Sequence, residues 1–389
     1  MRDARRPGLA SRIEAATPPD RDRAVDALRA LAILGVVLGH WCVTAFVSTG
    51  DGRLRVTSPL SAMPHLAPVS WVLQTLAVFF LVGGYTAAKG HRAGQPYLPW
   101  ARRRLARLAR PVPVLLLAWA AAMPALAWAG LPSGTLHALL KLVLSPLWFL
   151  GVYGTLTVLT PVVVMLWNRL GMRGLLFPLA ATALIDLGRF GLDAPAWIGW
   201  GTVLTGWLVP FYLGVAWAHG ALAPLRAGWV LLAGGATAAA VLVLWAGYPA
   251  SMVGVPGAEV SNLNPPTLAA MAFGMAQCGL ALLARGPLTR LTRRPGVWAA
   301  VALANLSAMT IFLWHQTAMM SVTVAAAAAG GPLPGLHTVP DRAAWIPVRL
   351  AWLPVFALAL AVLWALAHRF ERPRPHRANP GAVPYITQE

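Results

Sequence analysis

Long apolar stretches, separated by clusters of arginine, constrain the fold of this chain more than any other feature. Hydrophobic residues make up 58% of its 389 residues, and charged residues only 11%. A soluble domain carries about 25% charged residues, so this composition excludes an ordinary soluble fold. The mean hydropathy is +0.64, and the apolar runs are long enough for helices that cross a bilayer. The sequence therefore predicts an all-α, polytopic membrane protein.

The apolar runs divide into about ten expected transmembrane helices, of which the fifth is short and the ninth is long. Their expected ranges are 26–47, 66–89, 109–130, 143–167, 174–188, 196–218, 228–247, 266–284, 297–329 and 345–369. We see no internal repeat, which argues against the inverted-repeat folds of many transporters. The expected organisation is a disordered basic cytosolic arm (1–20), one membrane domain (21–375) and a cytosolic tail (376–389).

Basic residues collect on one side of the expected spans. With the N-terminus in the cytosol, 25 of the 31 lysine and arginine residues fall in cytosolic segments. Such a bias marks the cytosolic side of a membrane protein, so we expect both termini there. The same bias explains the net charge of +19 without nucleic acid as a partner. Abundant arginine, alanine and glycine favour a bacterial origin, and hence the inner membrane.

Arg29 and His40 stand out within the first apolar run. They lie eleven residues apart, so on a helix both side chains point the same way, roughly 16 Å apart along the axis. Ionisable residues inside a membrane are costly and usually functional. Burial disfavours the charged imidazolium, so His40 should remain a neutral base that can accept a hydroxyl proton. The pair predicts an anion-binding site beneath a proton acceptor.

Each of these residues also has a purely structural interpretation. His40 could serve as a hydrogen-bonding contact between helices, and Arg29 could be a snorkelling residue at the end of a span. Asp26, one turn before Arg29, could pair with its guanidinium and orient it. His315 in the ninth span could likewise be either an interhelical contact or part of the site.

The segment between the second and third spans is the most basic part of the chain. It reads Arg102-Arg103-Arg104-Leu-Ala-Arg107-Leu-Ala-Arg110. Arginine forks match phosphate oxygens, so Arg103, Arg104 and Arg107 could form a clamp for phosphates. The alternative is contact with anionic lipid. Trp148 and Tyr153 in the fourth span could line a site for an acyl or sugar group, or belong to an interfacial aromatic belt.

Taken together, these residues resemble the acyltransferase-3 family of integral membrane acyltransferases over nearly the whole chain. One departure is Gly83, where the family commonly has serine. The segments that carry the resemblance are Arg29-x10-His40, Phe79-Phe80-x-x-Gly83-Gly84-Tyr85, Arg103-Arg104-x-x-Arg107, Trp148-Phe149-Leu150, Leu313-Trp314-His315-Gln316 and Glu371-Arg372-Pro373.

The resemblance implies transfer of an acyl group, often acetyl, from acyl-coenzyme A to a hydroxyl of a glycan, lipid or natural product. It implies coenzyme A binding at Arg103, Arg104 and Arg107, with catalysis by His40 and Arg29. Trp148, Tyr153 and His315 would contact the acceptor, and Asp26 would orient Arg29. No metal is expected, since His, Cys and carboxylates show no ligand spacing. The rival hypothesis is a transporter or lipid flippase that performs no chemistry.

Overall fold

The computed structural model describes residues 8–50, 52–92 and 94–370. Most of these residues are helical, and nine helical segments among them have the length and composition to cross a bilayer. The chain is therefore a multi-pass membrane protein. The nine segments are Arg23–Val43, Tyr97–Trp128, Ser133–Val158, Thr160–Gly191, Ala196–Ala218, Leu225–Leu244, Leu268–Leu291, Ala308–Ala328 and Trp345–Phe370.

Several of these segments consist of two consecutive helices. In chain order the helices are α1 (Leu9–Ala15), α2 (Arg23–Val43), α3 (Pro59–Ala62), α4 (Ala67–Ser70), α5 (Leu76–Lys89), α6 (Tyr97–Ala109), α7 (Val112–Trp128), α8 (Ser133–Leu144), α9 (Leu147–Val158), α10 (Thr160–Leu170), α11 (Leu176–Gly191), α12 (Thr202–Ala218), α13 (Leu225–Leu244), α14 (Leu268–Leu291), α15 (Pro295–Leu306), α16 (Ala308–Ala328) and α17 (Trp345–Ala367). Turns of 3₁₀ helix cover Pro64–Leu66, Gly171–Leu175, Ala196–Gly201 and His368–Phe370.

A short β-hairpin after α2 departs from the all-α prediction. Strands β1 (Ala45–Ser48) and β2 (Leu54–Thr57) pair antiparallel. Gly50 and Gly52 take φ values of 80° and 79° in the connecting turn, a conformation open to glycine at little cost. The Leu54 N–H donates to the Thr135 hydroxyl at 2.9 Å, which ties the hairpin to α8.

Two of the expected spans are interrupted. The expected span 66–89 becomes α4, a non-helical stretch and α5, and a side chain from α14 bonds to the backbone at the break. There the Gln277 amide donates to the carbonyl oxygen of Gln74. The expected span 297–329 is broken between α15 and α16, next to Asn305, whose amide donates to the Asp26 carbonyl of α2 at 2.9 Å. Irregular backbone at membrane depth requires such partners.

These breaks affect the number of spans. α5 and α15 are apolar but contain only 14 and 12 residues, fewer than the roughly 20 that a straight span needs. The expected number of ten spans therefore remains a prediction, and so does the cytosolic position of both termini.

The predicted disorder of residues 1–20 does not hold for the part that the structure describes. Residues 9–15 form α1, which packs against α15. Arg23 pairs with Glu14 at 2.7 Å, and the Trp298 indole donates to the Thr17 hydroxyl at 2.7 Å. These contacts order a segment that its composition alone would leave unfolded. Residues 1–7 and the predicted tail, 376–389, lie outside the described residues.

The centre of the bundle is built where α5 crosses α12 at close range. A Cβ on Gly84 would overlap the Phe211 backbone, and one on Gly214 would overlap the Leu81 carbonyl. Paired small residues allow this approach of two helices in a membrane. The contact buries Phe80 and Phe211 completely, and it places the second turn of α5 next to α9.

Candidate functional site

α2 holds Arg29 near its start and His40 near its end. The helix is continuous over 21 residues, so the two side chains keep a fixed register. Thr75, at the start of α5, lies against Gly35, where a Cβ would overlap its side chain. The Thr75 hydroxyl also donates to the Ala32 carbonyl at 2.7 Å. α2 and α5 are therefore locked together between the two ends of the site.

His40 lies against α16, where it meets His315 and Gln316. The Gln316 Nε2 atom is 2.9 Å from His40 Nδ1, and the centroids of the two imidazole rings are 5.0 Å apart. His315 Nδ1 lies 2.6 Å from the carbonyl oxygen of Phe312. His315 and Gln316 are fully buried, whereas His40 keeps partial exposure. The two histidines that the sequence singles out are thus brought together.

Two polar atoms next to His40 lack hydrogen-bond partners within the described part of the chain. They are His315 Nε2 and Gln316 Oε1, and both are buried. An unpaired buried polar group costs about 1–3 kcal/mol. Atoms of this kind mark positions where a bound molecule can supply the missing partner.

The C-terminal end of α2 is fixed by a buried cation. Arg349, which is 1% exposed, donates to the carbonyl oxygens of Trp41 and Thr44 at 2.7 Å each, and to that of Gly335 at 3.0 Å. Carbonyls at a helix C-terminus carry partial negative charge, so a guanidinium is favourable there. The Trp41 indole in turn donates to the His315 carbonyl at 2.9 Å. These bonds hold α2, α16 and α17 together around His40.

Arg29 shares the Asp26 carboxylate with another arginine. Asp26 Oδ1 is 3.9 Å from Arg29 Nη1, at the expected spacing of three residues. Arg21 approaches the same carboxylate more closely, with bonds of 2.6 and 2.9 Å. Asp26 is therefore held mainly by Arg21, and its role in orienting Arg29 remains a prediction.

Tyr153 connects Arg29 to the arginine-rich helix α6. Its side chain lies within electrostatic range of the guanidinium groups of both Arg29 and Arg104. The Tyr153 ring occupies the space beside Gly83, and the Arg104 guanidinium occupies the space beside Gly90, where Cβ atoms would overlap them. The missing side chains of these two glycines make room for the cluster. Three helices, α2, α6 and α9, thereby bring Arg29, Arg104 and Tyr153 together.

A continuous line of ring contacts joins this cluster to the histidine pair. The centroid distance is 5.8 Å from Tyr153 to Phe149 and 5.0 Å from Phe149 to Phe312. It is then 6.0 Å from Phe312 to His315, and 5.0 Å from His315 to His40. Arg29 and His40 therefore border the same aromatic interior of the bundle.

The remaining predicted residues lie farther out. Arg103 and Arg107 are exposed on α6, whereas Arg104 is half-buried. Trp148 is 41% exposed and lines a surface groove with His137 and Lys141. Its ring is 6.2 Å from that of Phe149, so it adjoins the outer edge of the aromatic line.

Gln316 and Arg349 are residues of the site that the sequence analysis did not select. Gln316 was visible as a polar residue beside His315 within an apolar run, and that signal could have identified it. Arg349 resembles an ordinary charge near the start of the last expected span, because nothing in the sequence indicates that carbonyls of α2 surround it. Residues 371–373, which contribute one resembling segment, lie outside the described residues. Among those described, no group of three or more His, Cys, Asp or Glu could hold a metal ion.

Comparison with known proteins identifies one family. A family model of an acyltransferase domain, acyltransferase-3, matches residues 22–368, which is nearly the whole chain. No curated protein and no solved structure matches the chain.

Proposed function

Because the chain belongs to this acyltransferase-3 family, we propose that it is a membrane-bound O-acyltransferase that uses acyl-coenzyme A. The acyl group is acetyl, and the acceptor is a hydroxyl of a glycan, lipid or natural product. The observation that supports this proposal is the line of ring contacts from the Arg29–Arg104 cluster to His40. It joins a cationic region suited to phosphates to an imidazole suited to proton transfer.

The arginines form the donor site in this proposal. Guanidinium groups pair with phosphate oxygens through parallel hydrogen bonds, and coenzyme A carries several phosphates. The exposed Arg103 and Arg107 meet the phosphates first, and Arg104 holds them at the entrance to the interior. Arg29 stabilises charge on the thioester oxygen. This arrangement requires the arginine-rich end to face the cytosol of a bacterial inner membrane.

His40 is the general base. The acceptor oxygen attacks the thioester carbon, a C–O bond forms and the C–S bond breaks. His40 Nε2 takes the hydroxyl proton and returns it to the departing thiolate, so the products are an ester and free coenzyme A. His315, Tyr153 and Trp148 contact the acceptor. The apolar surroundings exclude water, which limits hydrolysis of the thioester.

Replacement of His40 tests this proposal. Loss of a general base typically lowers the rate by about 10²–10⁴-fold, so we expect His40→Ala to lower kcat by that factor and to leave acetyl-coenzyme A binding unchanged. The measurement is release of coenzyme A thiol by the purified protein in lipid nanodiscs, with a panel of hydroxylated acceptors. His65→Ala, at an exposed histidine, is the matched control.

Two results would contradict the proposal. Turnover by His40→Ala at the wild-type rate would remove His40 from the chemistry. A wild-type protein that translocates a candidate substrate but releases no thiol would be a transporter or flippase.

A further inference from the structure

We propose that Gln316 is a positioning residue that selects which nitrogen of His40 carries the proton. This inference rests on the proposed function, because it states how His40 comes to be a base. A neutral imidazole has one N–H and one bare nitrogen. The hydrogen bond made by one ring nitrogen decides which of the two is bare.

The partner of His40 Nδ1 is the Gln316 amide, whose Nε2 atom is placed 2.9 Å away. The oxygen and nitrogen of an amide exchange places when the group turns by half a rotation, and the chemistry of the site decides between the two orientations. With Nε2 toward the ring, the amide donates to Nδ1 and the ring proton lies on His40 Nε2. With Oε1 toward the ring, Nδ1–H donates to the amide, and His40 Nε2 is bare. Only the second orientation gives a base at Nε2.

The burial of Gln316 makes it able to hold the ring in this way. It is fully buried on α16, and the bond from the Trp41 indole to the His315 carbonyl fixes α16 against the end of α2. Because the amide stays against Nδ1, the end of the amide that faces the ring decides the tautomer of the imidazole. The turned amide then presents its N–H groups to the buried interior. There a thioester carbonyl, which gains negative charge during attack, is a suitable acceptor.

His315 needs no such selection. Its Nδ1 faces the Phe312 carbonyl oxygen at 2.6 Å, and a carbonyl can only accept, so Nδ1 carries the proton. His315 Nε2 is therefore bare, and no described residue pairs with it. With Gln316 Oε1 on His40 Nδ1, the two imidazoles each present a bare Nε2. One takes the proton of the reacting hydroxyl, and the other accepts a hydrogen bond from a further donor on the acceptor.

The tautomer of His40 can be measured directly. Nitrogen chemical shifts of isotope-labelled histidine distinguish a protonated ring nitrogen from a bare one, and the signal absent from His40→Ala identifies His40. We expect Nδ1–H in the wild-type protein without substrate, a mixture in Gln316→Met, and Nδ1–H again in Gln316→Glu. A wild-type His40 with its proton on Nε2 would overturn the proposal.

Kinetics provide a second test that a merely structural role would not pass. Gln316→Met should lower kcat by at least about 10-fold without changing the Kd for acetyl-coenzyme A, since only the chemical step loses an interaction. Gln316→Glu should recover part of that loss and move the activity profile toward higher pH, because a carboxylate partner strengthens the base. Wild-type kcat in Gln316→Met would also overturn the proposal.

Gln95→Met is the matched control, because Gln95 is another glutamine that faces a histidine ring nitrogen, His91 Nδ1 at 3.2 Å, outside the site. It should leave the His40 tautomer and the pH profile unchanged.

Failure of the inference is distinguishable from failure of the proposed function. The tautomer is read without substrate, whereas the proposed function fails if wild-type protein releases no thiol with any acceptor.

Discussion

Neighbouring side chains hold α2 through its backbone as well as through its side chains. Thr75 donates to the Ala32 carbonyl, Asn305 to the Asp26 carbonyl and Arg349 to those of Trp41 and Thr44. The Trp41 and Thr44 carbonyls lie at the C-terminal end, where an α-helix leaves carbonyls without intrahelical partners, and the Asp26 and Ala32 carbonyls accept these bonds in addition to their helical ones. The helix is thus fixed while the side chains of Arg29 and His40 remain available to ligands.

Arg104→Lys tests the arginine cluster at this scale. Lysine keeps the charge but loses the planar fork that pairs with phosphate, so we expect the Kd for acetyl-coenzyme A to rise by about 5–10-fold, or roughly 1–1.4 kcal/mol. Calorimetric titration of the purified protein measures this change. Arg226→Lys, at an exposed arginine outside the cluster, should bind as the wild type does. An unchanged Kd in Arg104→Lys would exclude bidentate phosphate binding there.

At the scale of elements, the site depends on close packing and on a helix break. α5 reaches α12 because Gly84 and Gly214 lack side chains, and this contact sets the position of Phe79 and Phe80 beside Phe149. The break before α5 allows Thr75 to contact α2. In an unbroken helix over 66–89, the backbone groups at 71–75 would pair with each other. α2 would then lack the bond from the Thr75 hydroxyl to its Ala32 carbonyl.

Gly84→Ala tests the packing of α5 on α12. The added Cβ meets the Phe211 backbone, which cannot rotate away, and overpacking of this kind costs about 1–3 kcal/mol. We expect a lower Tm and a lower yield of folded protein. Gly234→Ala in α13 is the control, because its Cβ would meet no atom of the described residues within 4 Å and alanine favours a helix by about 1 kcal/mol relative to glycine. Equal Tm values for the two variants would show that the close contact is unimportant.

At the scale of the whole molecule, the two ends of α2 lie in chemically different surroundings. The end at Arg29 gathers α6 and its arginines. The end at Thr44 meets α17 through Arg349, which also donates to Gly335 in the loop before α17. The histidine pair lies between, nearer the second end. A donor bound at the first end would therefore reach the pair through the aromatic interior.

The difference in charge between the two ends predicts the orientation of the bundle in the membrane. We expect a cysteine at exposed Arg103 to react with a membrane-impermeant maleimide only from the cytosolic side, because positive charge favours that side. A cysteine at Arg342, whose side chain is 85% exposed, should react only from the opposite side. Labelling of intact cells and of inverted vesicles measures both, and the wild-type chain gives the background. The reverse pattern would place the donor site away from cytosolic acyl-coenzyme A.

The sequence by itself determined the class of molecule and the candidate chemistry. Apolar length and low charge require membrane helices, because a bilayer leaves backbone groups no other partners. The fixed helical spacing of Arg29 and His40 relates two residues of one element, so it needs no tertiary information. The family followed from short segments that the chain displays directly.

Only the tertiary structure decided which residues meet. The breaks at 71–75 and at Ser307, the order of α1, and the contacts of Gln316 and Arg349 all depend on partners distant in sequence. Local pattern predicts a continuous helix or a free charge at these positions. A hydrogen bond or an ion pair from another element overrides that preference, because in a dry interior each unpaired polar group costs more than a distorted helix.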